Sequence, residues 1–421
     1  MKIHSLHLKN YRCFGNIDID FDNRLTVLVG VNGSGKTSIL DALSIFLKYV
    51  GQPDSGLRVL KYSIDDVSIG CEPKDIEYHV AFRPEYQTDA IAKIEAVKLS
   101  FENINQYGSA YATIDNHPKK MMELESPLCV AYMAGRSVRR EDAIIQNNLS
   151  KPSIYAAHEN SFERTIDYAS TLVWFNNADA DEARDMRDNG QKNELPELKA
   201  LREALLLALL GQYERPRMLG NPPELILYEK GTDHSYKLSQ LSDGYRSMLA
   251  LVMDLARRMA QKSKNTNLAT SPLWTKAIVL IDEVELHLHP SWQQSVLTTL
   301  MRIFPNTQFI VTTHSPQVLT SIPPQHIRVL SNGKAYTIGE QTEGAESSRV
   351  LKHVFGVDPR PTGVEIVKML KEYSKLVYDD MWDSDRAKEL RRMLAEHFGD
   401  DDLELMELDL HIENTKWEQS L

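Results

Sequence analysis

The sequence has few cysteines and no long apolar run. Its three cysteines, Cys13, Cys71 and Cys129, are far apart and form no C-x-x-C pair, so a disulfide framework is not indicated. No stretch reaches the roughly 18 apolar residues that a membrane helix needs, and residues 1–5 lack the apolar segment of a signal peptide. We therefore expect a protein of the reducing cytoplasm without a membrane partner.

Heptad repeats and low-complexity segments are also absent. No apolar heptad is sustained over the three or four repeats that a coiled coil requires, which excludes long coiled-coil arms. Hydrophobic residues make up 42% and charged residues 25% of the chain, and this ordinary globular composition argues against wholesale disorder. With 421 residues, the chain can form two or three modules, or one α/β domain with large insertions.

The excess of negative charge is concentrated near the C-terminus. Residues 371–421 hold 15 acidic and 7 basic side chains, a net charge of -8, so the remainder carries only -3 of the total of -11. Local basic surface for nucleic acid is therefore not excluded. The candidates are two clusters, and a solvated face is the alternative for each: Arg136, Arg139 and Arg140, and Arg257, Arg258, Lys262 and Lys264.

The most informative segment that is present is the glycine-rich loop 30–37, GVNGSGKT. It follows the apolar run 25–29 and precedes a helical pattern, the context of a phosphate-binding loop. Its glycines let backbone amides face a triphosphate, Lys36 supplies a cation and the Thr37 hydroxyl can ligate Mg²⁺. The sequence therefore predicts an ATP site whose loop residues are Asn32, Gly33, Ser34, Gly35, Lys36, Thr37 and Ser38.

The order of the predicted elements indicates an α/β fold. Two half-buried antiparallel strands open the chain, β-rich sequence continues from about 54 to 128, and helical patterns occupy about 150–215. A strand at 277–281, a helix near 291–303 and a strand at 307–313 then alternate as in a parallel sheet. We expect an ATPase domain over 1–345, with a parallel sheet, an antiparallel β-subdomain and a helical insertion, and a helical tail over 346–421.

A buried strand ends in two acids at Asp282-Glu283, the Walker B arrangement. Asp282 is predicted to hold the magnesium ion with Thr37, and Glu283 to orient or deprotonate the attacking water. The alternative is two acids at a surface strand end. Another alternative, a metal site at Glu285, His287 and His289, follows from the H-x-H spacing.

Residues 241–245, LSDGY, resemble the LSGGQ signature of ABC-type ATPases, with Ser242 and Gly244 at the start of a predicted helix. An ordinary serine N-cap is the alternative. The order of phosphate loop, signature, Asp-Glu strand and then His314 at a strand end favours an ABC cassette. In such cassettes the signature binds the γ-phosphate held by a second subunit, and His314 takes the position of the switch histidine.

The segments LKNYRCF at 8–14, DEVELHLHP at 282–290 and TTHSP at 312–316, with the phosphate loop, resemble the RecF/SMC branch of ABC-type ATPases. The resemblance implies an ABC-type ATPase head, head-to-head dimers with two ATP molecules at the seam, and Arg12 near the nucleotide. It places 285–289 in the loop that couples the two sites. No glutamine can be assigned as the Q-loop residue, and Arg136 is the candidate substitute.

Within this branch, the compact size and the segment VFGVDPRP at 354–361 resemble the PtuA ATPases of Septu and retron-associated anti-phage defence. That resemblance implies a companion HNH nuclease, PtuB, a retron reverse transcriptase with its nucleic acid, and a tail that docks a partner. Three alternatives remain: a RecF-like repair clamp that binds DNA itself, a nuclease-fused ATPase using Asp400–Asp402, and a transporter cassette.

Overall fold

The computed structural model describes the following residues: 1–51, 59–62, 64–83, 95–101, 110–115, 126–134, 156–158, 160–162, 168–190, 194–219, 224–263 and 271–419. The chain divides into two compact units, Met1–Val350 and Leu351–Leu421.

An antiparallel sheet is formed by the N-terminal part of the first unit. Its strands are β1 (Lys2–Tyr11), β2 (Phe14–Asp20), β4 (Val59–Tyr62), β5 (Glu77–Arg83), β6 (Glu95–Phe101) and β7 (Ala110–Asp115), in the order β2-β1-β5-β6-β7-β4. In β2 and β5 buried and more exposed residues alternate, because one face packs on the core and the other meets solvent. The predicted strands in this region are confirmed.

A second sheet carries the phosphate loop. Its strands are β3 (Leu25–Val29), β8 (Leu128–Tyr132), β12 (Ala277–Ile281), β13 (Thr307–Thr312), β14 (Ile327–Ser331) and β15 (Lys334–Thr337), in the order β15-β14-β3-β13-β12-β8. All pairs are parallel except β14 with β15. Every residue of β3, β8, β12 and β13 is buried, as expected for strands covered on both faces.

Seven α-helices in the described part of the first unit lie around this sheet or in the insertion. They are α1 (Lys36–Gly51), α2 (Tyr168–Asn189), α3 (Pro196–Ala208), α4 (Asp243–Ser263), α5 (Pro290–Gln293), α6 (Val296–Ile303) and α7 (Pro316–Leu319), and α8 (Ser347–Phe355) follows across the boundary. The single helix expected near 291–303 is two helices. The amide of Ser295 donates to the carbonyl of Trp292, three residues back rather than four, so the first helix ends there.

One core joins the two sheets. Apolar residues of β1, β2 and β5 form a continuous buried cluster with α1 and with residues of β3, β8, β12 and β13. A third, smaller sheet was not anticipated from the sequence. It consists of β9 (Tyr213–Leu219), β10 (Glu224–Glu229) and β11 (Ser235–Lys237), in the order β11-β10-β9, and it leads into α4.

The second unit is helical. After the end of α8 it contains α9 (Glu365–Tyr378), α10 (Asp385–Phe398) and α11 (Leu403–Gln419), which share an apolar core that includes Leu370, Leu390 and Leu405. Ser384 caps α10 by accepting a hydrogen bond from the amide of Ala387. The helical tail expected over 346–421 is confirmed in the residues that the structure describes.

Candidate functional site

The glycine-rich loop lies between β3 and α1 and packs against the turn that joins β1 and β2. Gly35 has a φ of +93°, and a Cβ atom added there would overlap the Phe14 ring and lie 2.7 Å from Cys13 Sγ. A larger residue at 35 would therefore both strain the backbone and push the turn away. The loop conformation and the opening hairpin depend on each other.

Several polar groups of the loop meet solvent at the start of α1. Asn32, Gly33 and Thr37 are exposed, and Ser38 is partly buried. The Ser34 hydroxyl is buried and has no hydrogen-bond partner among the described residues. A helix N-terminus with free amides and hydroxyls favours anions, so the site suits a phosphate.

The Lys36 side chain is buried within the loop. Its Nζ donates to the carbonyl oxygen of Gly30 at 2.8 Å. Burial lowers the pKa of Lys36, and the acids at 282, 283 and 285 oppose this shift by stabilising the charged form. The ammonium group thus lies within electrostatic reach of the acids that follow β12.

Asp282 is almost completely buried and is held on both carboxylate oxygens. Oδ2 accepts a hydrogen bond from Thr37 Oγ1 at 3.0 Å, and Oδ1 accepts one from Thr312 Oγ1 at 2.6 Å. The Asp282 amide donates to the carbonyl of Tyr132 at 2.8 Å. The structure therefore brings together the two residues expected to hold Mg²⁺, and both supply the hard oxygen donors that this ion prefers.

Glu283 follows Asp282 in an uncommon backbone conformation. Its φ is +48°, in the left-handed region, and its amide donates to Thr312 Oγ1 at 2.7 Å. Left-handed backbone at a residue other than glycine costs about 1–2 kcal/mol, so surrounding contacts must maintain it. Glu283 is only partly buried, in contrast to Asp282.

His314 lies just beyond β13, the strand next to β12. The backbone amide of His314 donates to Glu285 Oε1 at 2.6 Å. The other carboxylate oxygen of Glu285 is buried and has no hydrogen-bond partner among the described residues. The segment after β12 and the segment after β13 are thereby joined at the edge of the sheet where Lys36 and Asp282 lie.

The signature segment packs on a different part of the loop after β12. Gly244 is buried at the start of α4, and the Tyr245 ring lies 4.4 Å from the Trp292 ring. Ser242 is exposed, and no hydrogen bond in the described part of the chain links it to the phosphate loop. Ser242 and Gly244 therefore stand apart from the network of Lys36 and Asp282 within one chain.

Arg12 occupies the turn between β1 and β2. Its guanidinium donates to Asp41 on α1 at 2.6 Å and to Asp66 at 2.7 Å. Burial lowers the pKa of Arg12, but Tyr11 and the two acids outweigh it and raise that pKa. The contact with Asp41 ties this turn to the helix that begins at the phosphate loop.

The prediction of a basic surface at Arg257 and Arg258 is wrong. Both side chains are buried and bind Asp254, each at 2.7 Å, and Tyr132 donates to the same carboxylate at 2.9 Å. Burial raises the pKa of Asp254, but Arg258 and Arg257 outweigh it and lower that pKa below its ordinary value. These arginines are structural, because both side chains are buried and share the Asp254 carboxylate.

Other predictions concern residues outside the described part of the chain. These residues are Arg136, Arg139, Arg140 and Lys264. Arg136 is also the candidate substitute for the Q-loop residue. Lys262 belongs to the described part of the chain. It is partly buried, and its Nζ donates to Ser126 Oγ at 3.3 Å. Across the stretches that the structure describes, no cluster of three His, Cys, Asp or Glu side chains is arranged for a metal, and no helix is long and apolar enough to cross a membrane.

Two residues of the site escaped the sequence reasoning. Thr312 contacts both acids, and Glu285 holds the backbone of His314. A polar β-branched residue at the end of a buried strand, next to the strand that carries the acids, is the signal that could have indicated Thr312. The sequence pattern places Glu285 in a candidate metal site or in the loop after the acids, and neither interpretation indicates a contact with His314.

Together, the parallel sheet with its phosphate loop, the Asp-Glu strand beside it and the signature helix define the head of an ABC-type ATPase. Two family models match the chain. The model described as "AAA ATPase domain" matches residues 1–165, and the model described as "AAA domain, putative AbiEii toxin, Type IV TA system" matches residues 134–320.

Relatives with recognisable sequence similarity include two retron ATPases and a Septu protein. "Retron Ec83 probable ATPase" of Escherichia coli is 30% identical over 99% of this chain and 88% of its own length. "Retron Vc95 probable ATPase" of Vibrio cholerae serotype O1 biovar El Tor is 23% identical over 94% of this chain and 88% of its own length. "Septu protein PtuA" of Bacillus mycoides is 26% identical over 78% of this chain but only 40% of its own length. The chain belongs to the family of retron ATPases, and its activity is the hydrolysis of ATP.

Proposed function

We propose that this ATPase is the nucleotide-dependent subunit of an anti-phage defence complex, in which ATP joins two copies of the chain and controls a companion HNH nuclease. The observation that carries the proposal is the hydrogen bond between Thr37 and Asp282 at the phosphate loop, in a chain whose exposed signature serine, Ser242, makes no hydrogen bond to that loop among the described residues. Such a site is complete only when a second subunit supplies the signature. The similarity to retron and Septu proteins supports the defence role.

In the proposed ATP site, the amides of residues 32–38 and the Lys36 ammonium bind the β- and γ-phosphates, with Arg12 holding the adjacent turn. Thr37 and Asp282 hold Mg²⁺, which would neutralise phosphate charge during transfer. Glu283 orients or deprotonates the attacking water, and His314 contacts the γ-phosphate. Ser242 and Gly244 of the second copy cover the phosphate from the other side, where the N-terminus of α4 favours negative charge.

Two substitutions test the ATP site. Lys36→Ala removes the buried cation, so we expect loss of ATP binding in an equilibrium assay. Glu283→Gln keeps the shape of the side chain but removes the base, so the variant should bind ATP, stop turning it over and accumulate as the ATP-bound oligomer. Wild-type turnover in both variants would refute the assignment of the site.

The helical tail is the proposed docking surface for the nuclease. Leu403, Met406 and Leu410 of α11 are 77%, 52% and 57% exposed, and their spacing places them on one face of the helix. Acidic residues such as Glu404 and Glu407 border this apolar stripe. An acidic rim repels nucleic acid and favours a protein partner with a basic edge around an apolar groove.

Co-purification from the native cell tests the partner. A tagged wild-type chain should retain an HNH nuclease and, in a retron setting, the reverse transcriptase with its nucleic acid. Leu410→Glu should lose the nuclease but keep ATP turnover, whereas Tyr336→Glu, at an exposed aromatic residue of the first unit, should keep both. Salt-sensitive, ATP-dependent DNA binding by the chain alone, with no nuclease retained, would instead support a RecF-like repair clamp.

A further inference from the structure

Thr312 makes an unusual pair of hydrogen bonds at the edge of the parallel sheet. It is the last residue of β13 and is fully buried. Its hydroxyl donates to Asp282 Oδ1 at 2.6 Å and accepts from the Glu283 amide at 2.7 Å. One side chain therefore contacts both acids, although it belongs to the neighbouring strand.

The backbone of Thr312 reinforces this arrangement. Its carbonyl oxygen accepts a hydrogen bond from the Val284 amide at 3.0 Å. The backbone of Glu283 is thus held on both sides. The Thr312 hydroxyl binds the Glu283 amide, and the Thr312 carbonyl binds the amide of Val284, the next residue. These contacts maintain the left-handed conformation of Glu283, which would otherwise relax because it is strained.

The same hydroxyl completes a chain of contacts from the phosphate loop. Thr37 donates to Oδ2 of Asp282, and Thr312 donates to Oδ1, so the carboxylate cannot rotate without losing a charge-assisted hydrogen bond. The hydroxyl of Thr312 then links this carboxylate to the backbone of Glu283. Phosphate loop, metal-holding acid and base are therefore connected by one continuous set of hydrogen bonds.

We propose that Thr312 is a positioning residue for ATP hydrolysis, which fixes the direction of the Asp282 carboxylate and the backbone of Glu283. This inference rests on the proposed roles of Asp282 and Glu283. The Thr312 hydroxyl is bonded to Asp282 and to the Glu283 amide, so it acts through these two residues and not on the nucleotide or the water. It acts by keeping the base in line with the γ-phosphate, where an error of about 1 Å is enough to cost about 100-fold in rate.

Thr312→Val is the sharpest test, because valine keeps the volume and branching but lacks the hydroxyl. We expect kcat to fall by about 100-fold while the Kd for ATP changes by less than about threefold. Thr312→Ser retains the hydroxyl and should recover most of the turnover. A residue that only stabilises the fold would not show this recovery together with unchanged ATP affinity.

Thr307→Val is the matched control. Thr307 is buried at the other end of the same strand, and its hydroxyl has no hydrogen-bond partner among the described residues. This variant should turn over ATP like the wild type. If Thr312→Val does not fold, Thr312→Cys serves in its place, since the thiol is of similar size and is a weak donor.

The inference is overturned if Thr312→Val hydrolyses ATP at the wild-type rate, if Thr312→Ser is as slow as Thr312→Val, or if ATP affinity falls in parallel with turnover. Glu283→Gln, measured alongside, separates this inference from the proposed function. Wild-type turnover in Glu283→Gln refutes the assignment of the base itself. An inactive Glu283→Gln with a fully active Thr312→Val refutes only the role of Thr312.

Discussion

Gly244 at the start of α4 lies directly against the backbone of His287. A Cβ atom added to Gly244 would be 2.5 Å from the His287 carbonyl oxygen, closer than any side chain tolerates. His287 has a φ of +65°, so its own backbone is already in the left-handed region. The signature helix and the loop that follows Glu283 are therefore fitted to each other within one chain, and a shift of one displaces the other.

We predict that Gly244→Ala impairs ATP turnover, because the added methyl group forces the signature helix away from the loop after the acids. Overpacking of this kind costs about 1–3 kcal/mol of stability. Steady-state ATP hydrolysis and urea unfolding measure the two effects. Gly339→Ala is the control, since a Cβ atom at Gly339 meets nothing within 4 Å. Equal activity of the two variants would contradict the packing argument.

The buried charges on α4 give a prediction about stability. Asp254 accepts hydrogen bonds from Arg257, Arg258 and Tyr132, so Asp254→Asn removes the negative charge that two buried guanidinium groups share. We expect a loss of about 3–5 kcal/mol in the free energy of unfolding, measured with urea. Asp181→Asn, which removes an exposed ion pair with Arg184, should have little effect. A similar loss of stability in both variants would contradict the argument that burial makes the Asp254 cluster more important than an exposed ion pair.

Acid sensitivity is predicted from His158. Burial, with Lys262 and Arg258 nearby, lowers the pKa of His158 from 6.5 to about 4. Between these values the unfolded chain takes up a proton that the folded chain does not, so stability falls as the pH drops through 6.5 and levels off below about 4. At about pH 5 the free energy of unfolding is lower by about 2 kcal/mol.

Urea unfolding near neutral pH and at about pH 5 tests this prediction. His158→Phe should lose less stability on acidification than the wild type, because the group that binds the extra proton in the unfolded state is gone. His234→Phe, at an exposed histidine, should behave like the wild type. An unchanged acid response in His158→Phe would exclude this residue as the cause.

Much of the fold follows from local sequence pattern. The alternation in β1 and β2, the apolar runs of β3 and β12, and the helix after the phosphate loop are set by neighbouring residues, so the sequence predicts them. The phosphate loop and the acids after β12 were found because their spacing is specific. The contact between Thr37 and Asp282 confirms that these distant motifs meet.

The remaining features depend on contacts across the sheet. Thr312 acts on the acids only because β13 pairs with β12 in parallel register, which no local pattern reveals. The sequence predicts surface charge at Arg257 and Arg258, although Asp254 lies three and four residues before them, the spacing of helical ion pairs. Whether such a group is buried depends on Tyr132 and the insertion helices, which are far away in the sequence.

The central claim is that each ATP site takes its phosphate loop from one copy of the chain and its signature from another. Mixing two inactive variants tests it most directly: Lys36→Ala disables the loop, and Ser242→Arg blocks the signature at an exposed position. In a mixed dimer, one site carries both lesions and the other carries none. The account predicts that the mixture recovers ATP turnover that neither variant shows alone, and a mixture that stays inactive although the two variants associate would contradict it.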